Sequence, residues 1–372
     1  MNAPAGRPIP APKRRRGRTL ALAAAGIGVA GAVAVAGERL LIRRARAAPD
    51  PDGAEPLAER PGEERRVRSF DGTELAVNVT GRSGNSRPTL VFVHGFTLDM
   101  TGWHFQWKKF SRTHRVVLFD QRGHGHSSPA TDGDYSLEAM GRDLQAVLEA
   151  TVPEGPAVLV GHSLGGMAIL SLASLHPEEF GSRVQGVVLA NTAASDILKA
   201  VLGNLGEKAA LAILPYARRF VAQTGRAYRL RSRLVGSGGD LAFLIARITN
   251  FGPSAPPSVI DHVVSVAAEA PVEVWTDVMA SLLAMDLGDA IHGVRVPALV
   301  IASDLDRLTP PTSARAIADR LPQGRLVEIR GAGHCSMLER PEEFNRVLEA
   351  FVTEAAQPGR ERIRAGAAPT AT

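Results

Sequence analysis

The sequence predicts an α/β fold: a mostly parallel sheet of eight-stranded type with helices on both faces, plus a helical lid insertion. Three observations predict it. Short runs rich in Val, Ile and Leu recur along the body without the alternation of a half-exposed strand, as strands buried on both faces should. Helical stretches lie between them, so neighbouring runs pair in parallel through crossovers. The alternation then stops between Asn191 and Pro297, where mainly helical, Arg-rich sequence intervenes and reads as an insertion.

Taken in order, residues 1–18 are a basic N-terminus ending in KRRRGR. Residues 19–37, TLALAAAGIGVAGAVAVAG, carry no charge, and as a helix they would extend about 28 Å, just enough for a hydrocarbon core. Three readings of this run stand: a membrane anchor, a signal peptide cleaved near Ala34-Val35-Ala36, or a peripheral or soluble Ala-rich helix. Basic residues flank it on both sides, so the charges leave the orientation open. The reading adopted is a cytoplasmic N-terminus with an anchored or exported body. Residues 38–65, rich in Pro, Ala, Asp and Glu, read as a linker.

The core begins at residue 66, and its first part runs to 194. Two hairpin strands are expected around 67–70 and 74–79, parted by the turn signal Asp71-Gly72. Six further strands follow: TLVFVHG (89–95), RVVLFD (115–120), AVLVGH (157–162), VQGVVLAN (184–191), PALVIAS (297–303) and GRLVEI (324–329). Helices are expected at 136–149, 165–175 and 314–321. The lid takes 195–290, the second part of the core 291–356, and 357–372 read as a disordered tail.

Charge narrows the partners. The net charge is +5, but residues 1–48 hold ten Lys or Arg against the single acid Glu38, which leaves the rest of the chain acidic. The basicity belongs to the N-terminus, and nucleic-acid binding loses its support. One cysteine, Cys335, excludes an intramolecular disulfide.

The chemistry lies where the strand candidates end, because ligands bind beyond the carboxyl ends of a parallel sheet. GHSLGG (161–166) places Ser163 between a strand and a helix, on a tight turn that lifts the hydroxyl clear of the sheet. A serine hydroxyl needs an oriented base, and His334 in GAGHCSML follows the last strand. SDLDRLTP, after the strand before it, offers Asp304 and Asp306 as the acid. Ser, Asp and His thus occur in that chain order, each just after a strand.

With HGF (94–96), DQRGHGHS (120–127), GHSLGG, DRLTP (306–310) and GAGH (331–334), the chain resembles the α/β-hydrolase fold family over residues 66–354. In that family the acid commonly stands four residues before a proline. This selects Asp306 before Pro310, although Ser303 occupies a place where the family often has glycine. The resemblance implies an oxyanion hole from the backbone N–H groups of Phe96 and Leu164. It implies a serine hydrolase for carboxylic esters, with a small or lipid-like acyl group, and no metal or organic cofactor. Ser163 argues against epoxide hydrolases and haloalkane dehalogenases, which use a carboxylate nucleophile; thioesterases, C–C bond hydrolases, cofactor-free perhydrolases and a barely catalytic ligand receptor stay open. The expected partners are a small-molecule or lipid-like ester and, through residues 19–37, a membrane.

The remaining candidates read as structural. His94, His124, His126 and His162 fit loop packing better than catalysis, and His124-x-His126 lacks a third metal ligand. Cys335 reads as a small buried hydrophobe. The arginines of 216–234 suit a solvated lid face better than an anionic membrane or substrate.

Overall fold

The computed structural model describes residue 37, residue 40, residues 42–82, 87–195 and 238–355. The run 19–36, the arginine-rich stretch 216–234 and the tail 357–372 lie outside the described residues. Among those described, no helix is long and apolar enough to cross a membrane. The chain divides into two units, Met1–Ala48 and Pro49–Thr372. In the first, residues 42–46 are helical.

The second unit holds one eight-stranded sheet: β1 (Glu63–Arg68), β2 (Glu74–Gly81), β3 (Thr89–Val93), β4 (Arg115–Phe119), β5 (Ala157–His162), β6 (Val184–Ala190), β7 (Ala298–Ser303) and β8 (Gly324–Ile329). They lie in the order β1-β2-β4-β3-β5-β6-β7-β8. β1 and β2 pair antiparallel, as do β2 and β4; every other pair is parallel. Every residue of β3, β5 and β7 is buried, which accounts for their unbroken apolar runs. The chain turns outward from β3 to β4 and returns to β5, so β3 and β5 flank the point where strand order reverses. In sheets of this kind the crevice for a ligand opens there.

The helices follow the same logic. α1 (His104–Phe110) precedes β4, α2 (Leu137–Thr151) precedes β5, and α3 (Leu164–Leu175) follows β5 directly. Ser136 caps α2, its hydroxyl oxygen accepting from Ala139 N–H at 3.1 Å. α3 is apolar nearly all round because it is buried nearly all round. Between β6 and β7 the described chain forms α4 (Gly238–Asn250), α5 (Pro257–Glu269) and α6 (Val272–Ala284). α7 (Pro311–Arg320) follows β7 and α8 (Pro341–Ala355) follows β8, and shorter helical turns, among them Glu179–Ser182 and Ser336–Glu339, lie between the longer elements.

Two expectations are corrected. β1 starts at Glu63 rather than near Val67, and ends at Arg68. It is an edge strand, exposed at all but Val67, so no apolar pattern marks it; its place is set by pairing with β2, where Val67 meets Leu75. Residues 49–62, read as part of a linker, are packed onto the body. Leu57 is buried, and the Arg60 guanidinium bridges Asp99 at 2.7 Å and Asp120 at 2.8 Å. The buried Asp120 carboxylate also accepts from the N–H groups of Met100 (2.8 Å) and His126 (2.7 Å), so without Arg60 its charge would lack its cation.

Candidate active site

Ser163 stands between β5 and α3 with φ 51° and ψ −116°, outside the regions that L-residues favour. Its N–H donates to Ala190 O at 2.9 Å, and its carbonyl accepts from the Thr192 hydroxyl at 2.7 Å. The glycines around it are demanded by close approach. A Cβ on Gly161 would lie 2.6 Å from Gly165 C and Gly166 N, and one on Gly165 would lie 2.1 Å from Val93 O. The loop after β3 abuts the same turn: a Cβ on Gly95 would come within 3.2 Å of Ser163 Cβ. Thr97, in that loop, and Asn191, after β6, are the other non-glycine residues at positive φ among those described, so strained backbone gathers at the sheet's carboxyl edge.

His334 and Asp306 are brought together. His334 Nδ1 donates to Asp306 Oδ2 at 2.9 Å. The same carboxylate accepts from the Thr309 hydroxyl (2.7 Å) and from Asn191 Nδ2 (2.9 Å), while Oδ1 accepts from the N–H groups of Leu308 and Thr309, both at 2.9 Å. Burial alone would raise the Asp306 pKa. The adjacent His334 ring and the hydrogen bonds from His334 and Thr309 outweigh it and hold the carboxyl below the usual range. Asp304 is exposed and accepts from Gly331 N–H at 2.6 Å, away from His334. Geometry therefore pairs His334 with Asp306, not Asp304.

Ser163 and His334 line one cavity of about 270 Å³, together with Phe96, Leu98, Met167, Val263, Leu282 and Leu308 among others. Helices α5 and α6 contribute to its wall. Leu164 opens α3, so its N–H belongs to the helix's unsatisfied first turn. Phe96 is half-buried, its ring 5.8 Å from that of Trp275 on α6. The Gly95 carbonyl is held by His94 Nδ1–H at 2.8 Å and Leu98 N–H at 3.2 Å, which fixes the Gly95–Phe96 peptide plane.

The other histidines are structural. His94 accepts from Gln121 N–H through Nε2. His124 donates to Arg122 O, and His162 Nε2–H donates to the His334 carbonyl at 2.9 Å. Burial pushes the pKa of His94 and His124 down to about 4 and that of His162 to about 3. His126 is exposed and paired with Glu64. Among the described residues no three His, Cys, Asp or Glu side chains gather to hold a metal ion. Burial pushes the Cys335 thiol far above its ordinary value, so it stays protonated at neutral pH.

A stability prediction follows for His124, whose pKa is about 4 folded and about 6.5 unfolded. The neutral ring stabilises the fold fully above pH 6.5, and that contribution fades as pH falls towards 4. His124→Asn keeps a donor for Arg122 O but takes up no proton. Denaturant unfolding of both proteins should show the variant gaining about 3 kcal/mol relative to wild type between pH 7 and pH 4. A pH-independent difference would contradict this.

Sequence reasoning missed Asn191, Thr309 and Glu339. The buried Glu339 carboxylate accepts from Gly252 N–H at 3.0 Å and Gly333 N–H at 2.8 Å, tying the loop after α4 to the loop of His334. Its signal was an acid just after the His334 motif, in LERP.

The chain belongs to the α/β-hydrolase fold family, whose model matches residues 88–341. It is 26% identical to 3-oxoadipate enol-lactonase 2 of Acinetobacter baylyi, over 75% of this chain and 94% of that one. Among solved structures it is similar to a thermophilic esterase from Thermogutta terrifontis, with TM-score 0.63 and 25% identity over 80% of this chain and 100% of the other. It is also similar to Est816, described as an N-acyl homoserine lactone degrading enzyme, with TM-score 0.59 and 27% identity over 77% and 100% of the two chains.

Proposed function

We propose that this hydrolase-family chain is a serine hydrolase that cleaves carboxylic esters of small or lipid-like acids through a covalent acyl-enzyme. The observation that carries the reading is the 2.9 Å bond between His334 Nδ1 and Asp306 Oδ2, with His334 lining the same cavity as Ser163. With Nδ1 engaged, Nε2 is left for the Ser163 hydroxyl. As Oγ attacks the ester carbonyl carbon, Nε2 takes its proton and Asp306 steadies the imidazolium. The oxyanion is held by the N–H groups of Phe96 and Leu164, each contributing about 3 kcal/mol to the transition state. The carbon–oxygen bond then breaks, and the alcohol leaves with the proton from Nε2. Water repeats the attack and frees the acid and Ser163.

The apolar lining from Phe96, Leu98, Met167 and Leu282 supports an acyl chain more than a charged substrate. An esterase, an enol-lactonase and a lactone-degrading enzyme among its relatives support the ester bond, open or cyclic, as the target. The test is turnover of p-nitrophenyl esters graded in acyl length. Steady multiple turnover that peaks at one length, and none by Ser163→Ala, is the expected outcome. One slow turnover with tight retention would mark a ligand receptor instead, and a flat profile would remove the acyl preference.

A further inference from the structure

One side chain that takes no part in the chemistry reaches the loops of both the acid and the base. Asn191 follows β6, is 1% exposed and has φ 47°. Its amide nitrogen donates to Ser303 Oγ, the last residue of β7, and to Asp306 Oδ2, each at 2.9 Å. Its amide oxygen accepts from the hydroxyl of Ser336, two residues beyond His334, at 2.7 Å. Its main chain adds a third connection: Asn191 N–H donates to Ile301 O at 2.8 Å, and the preceding carbonyl, on Ala190, receives the N–H of Ser163. The amide can sit only this way round, because the flipped form would aim its oxygen at the Asp306 carboxylate.

A positive φ would be met equally well by glycine. The side-chain bonds would not. They also give Ser303 a use at a place where the family often has glycine, since its hydroxyl accepts the second amide proton.

Resting on the serine-triad reading above, we infer that Asn191 is a positioning residue that sets the Asp306–His334 pair, anchored by Ser303 and Ser336. It fixes the loop of the acid against the loop of the base. It also shares Asp306 Oδ2 with His334, and so takes up part of that oxygen's accepting power. Loss of the Asn191 donor leaves Oδ2 more basic and strengthens its hold on the protonated imidazole.

The titratable groups that interact with the pair are His162 at the end of β5, which feels both members, and Cys335, next to His334, which feels Asp306; Glu339 lies beyond Cys335. All are unchanged in the variants below, so a difference in pH profile reports on position 191. The experiment measures kcat, KM and the pH dependence of kcat/KM on a short p-nitrophenyl ester. Asn191→Gly keeps the backbone conformation and removes the donors; kcat should fall about 10-fold or more with KM within about twofold, because misplacement of reacting groups acts on the chemical step. The acid limb should move up by about half a pH unit. Asn191→Asp keeps the shape and the acceptor for Ser336 but sets a second carboxylate beside Asp306, and should move that limb up by about one unit or more. Ser336→Ala, which leaves Asn191 unanchored, should lower kcat about threefold in the same manner. Should Asn191→Gly fail to fold, Asn191→Asp and Ser336→Ala decide by the same criteria. The inference is overturned if kcat stays within twofold with the acid limb unmoved, or if kcat falls equally at every pH. Activity surviving in Ser163→Ala would instead overturn the triad reading beneath it.

Discussion

Asp306→Asn is expected to lower kcat about 10³- to 10⁴-fold while leaving the fold intact, as loss of the orienting acid does in a serine triad. The surroundings dictate how the new amide sits. Oδ1 accepts two backbone N–H groups, from Leu308 and Thr309, which cannot turn away. The asparagine oxygen must occupy that side, and its NH₂ then faces His334 Nδ1 where a carboxylate oxygen stood, while the Thr309 hydroxyl and the Asn191 amide, being side chains, can turn an acceptor towards it. Nδ1 can meet that donor only as an acceptor, which moves the ring proton to Nε2 and leaves no lone pair for the Ser163 hydroxyl. Circular dichroism should be unchanged, because the substitution is isosteric. Activity within tenfold of wild type would show that Asp306 does not orient the base.

Gly165→Ala should destabilise the protein by about 3 kcal/mol, the upper end of the usual cost of forcing atoms into a filled site. On a free helix the same change would stabilise by about 1 kcal/mol, because alanine is the better helix former. The sign reverses here because the added methyl would lie 2.1 Å from Val93 O and 2.7 Å from His94 O, and both are main-chain atoms that no rotamer change can move. Relief requires α3 to shift from β3, which would also part Ser163 from the loop of Phe96. Urea unfolding checks this, and a midpoint equal to that of wild type would refute the packing argument.

How far the sequence could be read depended on whether a residue's role was local. The strands from β3 to β7 were legible because burial on both faces writes itself as a nearly unbroken apolar run; β8, at the far edge and only partly buried, showed itself by the shorter run Leu326–Val327 and its place after a helical stretch. The places of the candidate residues Ser163, Asp306 and His334 were legible because each follows a strand, in a short pattern whose glycines or proline have their own steric reasons. β1 was misplaced because an exposed edge strand carries no such run. Arg60 was hidden for another reason: its partners Asp99 and Asp120 lie 39 and 60 residues away, and a guanidinium in a Pro- and Glu-rich stretch looks like linker composition. Asn191 was visible only as the last letter of a strand. Its partners Ser303, Asp306 and Ser336 are 112, 115 and 145 residues distant, and only the sheet order brings them to it.

The central claim is that Ser163 is the nucleophile, and covalent trapping tests it most directly. Wild-type protein incubated with a fluorophosphonate should gain one adduct in its intact mass, mapped by peptide sequencing to Ser163 within GHSLGG. Ser163→Ala should gain none. An adduct on any other residue, or equal labelling of the Ser163→Ala protein, would contradict the account.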